Sequence, residues 1–156
     1  MLRENLRLAR PFLALLAIFA IGRWTMGVRD VPYVRGHHVF SLLTLTVLGV
    51  VFYGAFARRW LGYTAGRAAV LGMTLSFCTQ LVIVILTGLS YGLGLDTYFN
   101  HPTALNSEVA LAAGPAMLRR LGGLVGNTLF AGIAGALGWL LGGVLPDDRA
   151  VGTTPA

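Results

Sequence analysis

The chain contains no lysine. All twelve of its basic residues are arginines, set against six acidic ones, for a formal charge of +6. An excess of this size raises the question of nucleic acid. These arginines, however, stand in ones and twos at the ends of apolar runs, and no segment joins a basic cluster to a soluble recognition module. Nucleic acid is therefore not expected as a partner. Charge of either sign is scarce, at 12% of 156 residues, where soluble domains carry about a quarter. Cysteine is nearly absent: Cys78 stands alone within an apolar run, which excludes an intrachain disulfide and a CxxC redox pair.

Further absences narrow the chemistry. No acidic side chain or lysine falls inside a long apolar stretch, whereas proton- or cation-coupled transport depends on an intramembrane carboxylate. An aspartate pair or a serine with histidine on facing helices, as intramembrane proteolysis needs, does not occur. There is no HxH, HExxH or CxxC spacing. The expectation is a protein that is not an enzyme and carries no metal and no cofactor.

Apolar sequence is abundant: 56% of residues are hydrophobic and the mean hydropathy is +0.73. Four stretches reach the roughly 20 residues that a helix needs to cross a bilayer. The fold class expected is all-α, a polytopic integral membrane protein of four transmembrane helices packed as a bundle. The spans are read at residues 11–26, 38–57, 68–95 and 121–145, making one domain over 1–146, with a flexible tail at 147–156. Pro11 suits a first helical turn, and Arg23 is read as snorkelling to the interface at the end of the first span. Within the third connector, Ser107 to Ala113 is expected to form a short interfacial helix, with Asn106 or Ser107 as its cap.

Seven arginines (Arg3, Arg7, Arg10, Arg58, Arg59, Arg67 and Arg149) fall on one side of such a bundle and five (Arg23, Arg29, Arg35, Arg119 and Arg120) on the other. The positive-inside rule then puts both termini in the cytoplasm, and a bacterial inner membrane is the expected location.

Helical periodicity assigns faces. In the third span Ser76, Thr79, Gln80, Thr87, Ser90 and Tyr91 share about a third of the circumference. A stripe of hydroxyls with one amide belongs against protein rather than lipid. In the fourth span Asn127, Ala131, Gly135, Gly138 and Gly142 share a side that lets another backbone approach, opposite Leu129, Ile133, Leu137, Leu140 and Val144. That ladder serves packing within the chain or against a second one.

With four spans, all three histidines gather on one side with Asp30, Asp96 and Glu108. His37, His38, Asp96 and His101 are the candidate ligand-binding residues, since imidazole and carboxylate are common metal ligands. A quinone site drawing on His38, Tyr91, Tyr98 and Phe99 would need less: one donor, an aromatic wall and an apolar slot. Arg119 and Arg120, at the expected entrance to the fourth span, are candidates for headgroup contact.

Three functions compete on these grounds. The leading expectation is a structural or accessory subunit of a larger membrane assembly, with the lipid bilayer and other subunits or itself as partners. The second is a cofactor- or quinone-binding protein with its site at the outer ends of the second and third spans. The third, resting on the hydroxyl stripe, is a passive channel or transporter formed by a homo-oligomer.

Overall fold

A computed structural model describes residues 2–144. Met1 and the expected tail at 147–156, together with the last two residues assigned to the domain, lie outside the described residues. Every described element is helical: α1 (Leu2–Leu8), α2 (Arg10–Val28), α3 (Tyr33–Gly36), α4 (Leu42–Leu61), α5 (Ala65–Gly92) and α6 (Ala113–Gly142), with a 3-10 turn at Pro102–Leu105 before α6. Helices α2, α4, α5 and α6 are long and apolar enough to cross a membrane and pack against one another. The chain is a multi-pass membrane protein, with four spans among the described residues.

Local chemistry sets the helix ends. Ser41 caps α4, its hydroxyl accepting from Thr44 N at 3.3 Å, and Gly62, in the left-handed region at φ 63°, closes the same helix. Thr64 caps α5 in the same way, accepting from Arg67 N at 3.4 Å. Only residues 62–64 separate the two helices, which makes α4 and α5 antiparallel neighbours. The second span starts at Leu42 rather than His38, because Phe40 takes a left-handed backbone at φ 50° and breaks the helix before it.

The fourth span begins at Ala113, well before the expected residue 121. Pro115 sits in its first turn, where it costs no hydrogen bond, and nothing up to Leu121 interrupts the helix. The expected interfacial helix from Ser107 to Ala113 does not form. The preceding turn forms instead: His101 Nδ1 accepts from Thr103 N at 3.3 Å, and Asn106, left-handed at φ 50°, ends it. Residues 107–112 are then irregular and run straight into α6.

Helix α1 lies ahead of the first expected span. It packs on the end of the bundle that carries the α4–α5 turn, with Asn5 buried and its amide donating to Thr74 Oγ1 at 3.5 Å. Glu4 pairs with Arg67 at 3.2 Å and accepts from the Tyr63 hydroxyl at 3.1 Å.

Two modes of packing hold the spans. Helices α4, α5 and α6 meet backbone to backbone. A Cβ placed on Gly135 would lie 2.7 Å from Ala68 O of α5, and one on Gly142 would lie 2.5 Å from Ala55 O of α4. Helix α2 uses bulk instead: Phe12, Leu16 and Ala20 bury against Leu42, Val50 and Leu75. Leu129, Ile133, Leu137 and Leu140 remain exposed on the opposite side of α6, which in a bilayer means facing lipid.

Candidate functional site

At the end of the bundle opposite the α4–α5 turn, two connectors fold over the helix ends. Side chains hold the second one to itself: Asn100 Oδ1 accepts from Thr97 N at 2.8 Å, Asn100 Nδ2 donates to Leu95 O at 3.0 Å, and Thr97 shares a 2.7 Å hydroxyl contact with Ser90 of α5. The Tyr98 hydroxyl ties it to the first connector, donating to Val31 O at 2.8 Å. Tyr33 stacks on His101, with ring centroids 4.2 Å apart and planes within 5°, and lies beside His37 on another flank at 5.8 Å. The His37 and His38 rings are 3.7 Å apart. Desolvation pushes the His101 pKa below its ordinary value, so that ring is neutral at physiological pH.

Beneath this cover lies a cavity of about 530 Å³, bounded by α2, α4, α5, α6 and both connectors. Such a volume is in the range of small-molecule sites. Arg23, from the last turns of α2, reaches its wall. Its Nη1 donates to His37 O at 3.1 Å and its Nη2 to the Tyr33 hydroxyl at 3.4 Å, with the guanidinium 5.3 Å from the Tyr98 ring centroid. Arg120 enters from α6, its Nε donating to Thr87 Oγ1 at 3.1 Å and its Nη2 to Phe99 O at 2.5 Å. Gln80 lines the buried part and Asn127 the exposed side. Gln80 lies just past the midpoint of α5, so the polar lining extends from the helix ends to mid-bundle. Thr44 and Leu43 of α4 and Asn127 of α6 are on the lining and also exposed. The cavity thus opens sideways between α4 and α6.

The stripe on α5 separates into two kinds of residue. Thr79, Thr87 and Ser90 are fully buried and return their hydroxyls to the carbonyl one turn back, as hydroxyls in spans commonly do. Thr79 also accepts from Thr46 of α4 at 2.9 Å, Ser76 donates to Asn127 O at 3.2 Å, and Tyr91 donates to Leu111 O at 2.8 Å. Gln80 differs. It is 6% exposed, lines the cavity, and makes no side-chain hydrogen bond among the described residues. The Asn127 amide is likewise without a partner. Asn127 therefore belongs to the cavity, while Ala131, Gly135, Gly138 and Gly142 are buried in the helix seam.

The arginine pair also splits. Arg120 points into the cavity, whereas Arg119 donates to Leu105 O at 2.7 Å and Asn106 O at 2.6 Å and fastens the connector. Both lie in the second turn of α6 rather than at its entrance. Among the histidines, His37 and His38 line the cavity and His101 stacks above it on Tyr33, while Asp96 is exposed and lies apart from the lining. Among the described residues no group of three or more His, Cys, Asp or Glu side chains is placed to hold a metal ion.

Arg23 escaped sequence reasoning, because an arginine at a span end ordinarily turns outward to water. A signal for the cavity was present nevertheless: two amides, Gln80 and Asn127, at mid-span on different helices. A second groove of about 480 Å³, between α2 and α5, is lined by apolar side chains such as Ile21, Trp24 and Leu86 and offers nothing polar to orient a ligand. Comparison with protein families, with characterised proteins and with solved structures finds no match to this chain.

Proposed function

We propose that this membrane protein is a small binding protein whose cavity takes up the polar head of a membrane-resident ligand. The observation that carries the reading is the Gln80 amide, buried at mid-bundle, aimed into the cavity and lacking a protein partner. The amide's polar atoms are open to the cavity rather than sealed in protein, so a ligand acceptor or donor there can pair with them, a hydrogen bond worth about 0.5–1.5 kcal/mol. The sideways opening between α4 and α6 suits a ligand that arrives from the bilayer. Arg23, His37, His38 and Asn127 supply further polar contacts around the same space.

The accessory-subunit reading has weaker support. Its docking face was the small-residue ladder of α6, and Gly135, Gly138 and Gly142 are occupied by α4 and α5 of the same chain. The cavity end is the outer one in this proposal, with both termini cytoplasmic in a bacterial inner membrane. Of the five arginines at the cavity end, Arg23 and Arg120 turn inward, so fewer positive charges face water there than a count along the sequence gives. That strengthens the positive-inside argument.

Native mass spectrometry on protein extracted gently from its own membranes tests the reading. Wild type is expected to carry an additional small-molecule mass, and Ala104→Trp, which fills the cavity from the 3-10 turn, to lose it. A bare polypeptide mass for wild type in several mild detergents would overturn the proposal.

A further inference from the structure

Resting on the cavity reading above, we infer that the head taken up is a phosphate-class anion, bridged between Arg23 and Arg120. Two guanidinium groups line one cavity inside a bundle, and among the described residues neither is paired with a carboxylate. Arginine remains charged in any protein environment, and a charge at membrane depth is costly unless something neutralises it. The aromatic and carbonyl groups around these side chains hold them in place but carry no negative charge.

Geometry favours phosphate over carboxylate. Each guanidinium has five N–H donors. Arg23 directs two N–H groups at His37 O and the Tyr33 hydroxyl, and Arg120 directs two at Thr87 and Phe99. Each guanidinium keeps N–H groups beyond those two, and the two side chains line the cavity from α2 and from α6, with Gln80 and Asn127 on the same lining. A planar carboxylate is satisfied by a single guanidinium fork. A tetrahedral phosphate presents oxygens in several directions at once and matches donors on separate walls. The cavity is far larger than a bare tetrahedral anion, and its side opening leaves room for an esterified head with its chains in the bilayer. A phospholipid-type headgroup and free inorganic phosphate share this chemistry, and the experiment separates them.

The full chain in a nonionic detergent is titrated with short-chain phosphatidic acid, with the diacylglycerol of the same chains, with a fatty acid and with inorganic phosphate, read by native mass spectrometry and thermal shift. Phosphatidic acid is expected to bind roughly tenfold or more tightly than diacylglycerol, the loss that removal of charge-assisted hydrogen bonds brings. Arg120→Gln should abolish that preference, and Arg23→Lys, which keeps the charge but not the fork, should weaken it. Protection by inorganic phosphate alone, with displacement of the lipid, identifies the free anion as the source; lipid binding that phosphate does not displace identifies the headgroup.

Equal binding of phosphatidic acid and diacylglycerol overturns the anion while leaving the cavity reading intact. Fatty acid binding as tightly as phosphatidic acid also overturns the phosphate assignment. Binding of none of the four by wild type defeats the anion proposal, and if the extracted protein is also bare the cavity reading falls with it. Should Arg120→Gln fail to fold, because Arg120 also holds Phe99 O, the comparison of phosphatidic acid with diacylglycerol on wild type still decides.

Discussion

Single side chains in this bundle fall into those whose polar atoms are satisfied by the protein and those that are not. Thr87 and Ser90 bond to carbonyls one turn back. Thr128 of α6 does not: its hydroxyl is the one buried side-chain polar atom without a partner among the described residues that is also shut off from open space. Valine has the same shape without the hydroxyl. Thr128→Val is therefore expected to raise stability by about 1 kcal/mol, seen as a higher midpoint in thermal unfolding in detergent. A lower midpoint would mean that the hydroxyl is used. At this scale the sequence was only partly legible. Periodicity alone picked out Gln80, and residue type picked out Arg120, but nothing along the chain said that they share a space with Arg23. That depends on α2 and α6 standing on either side of α5, which is tertiary information.

At the scale of elements the sequence was read more completely, for a physical reason. Bilayer spans are selected by local hydrophobicity over about 20 residues, so the four spans announce themselves without knowledge of their neighbours. Their ends do not. Phe40 in a left-handed turn, the Ser41 cap and the unbroken helix through Arg119 and Arg120 each depend on local backbone choices that hydropathy averages away. The α6 seam makes a sharp prediction at this scale. A methyl group on Gly138 would press on the backbone of Val51, with its C and Cα both at 2.9 Å, whereas one on Gly126 in the same helix meets nothing within 4 Å. Gly138→Ala should cost roughly 1–3 kcal/mol, the usual penalty for overpacking. Gly126→Ala should be neutral or gain up to about 1 kcal/mol from helix propensity. Equal effects of the two in thermal unfolding would contradict a backbone-to-backbone seam.

Across the whole molecule the two ends are built differently. One gathers polar side chains around open space, and the other is closed by aromatic and ionic contacts. Arg58 stacks over Trp139 at 4.0 Å and donates to its carbonyl at 3.3 Å, while Arg67 pairs with Glu4. In a background where Cys78 is serine, Thr103→Cys marks the cavity end and Gly62→Cys the closed end. In the proposed orientation, with both termini cytoplasmic, a membrane-impermeant maleimide should label intact cells through Thr103→Cys and not through Gly62→Cys; the reverse pattern would invert the protein.

Tyr63 sits at the centre of the closed end. Its hydroxyl donates to Glu4, near the start of the chain, and its carbonyl accepts from the Trp139 indole at 2.6 Å, near the end of the described chain. A ribosome delivers these groups in sequence, so Glu4 and Tyr63 are both in the membrane system long before Trp139 has been synthesised. The closed end thus stays unfinished until α6 has been synthesised, and a nascent chain that stalls short of α6 lacks the indole that completes it. One residue in a three-residue turn thereby makes completion of this end of the bundle wait for α6.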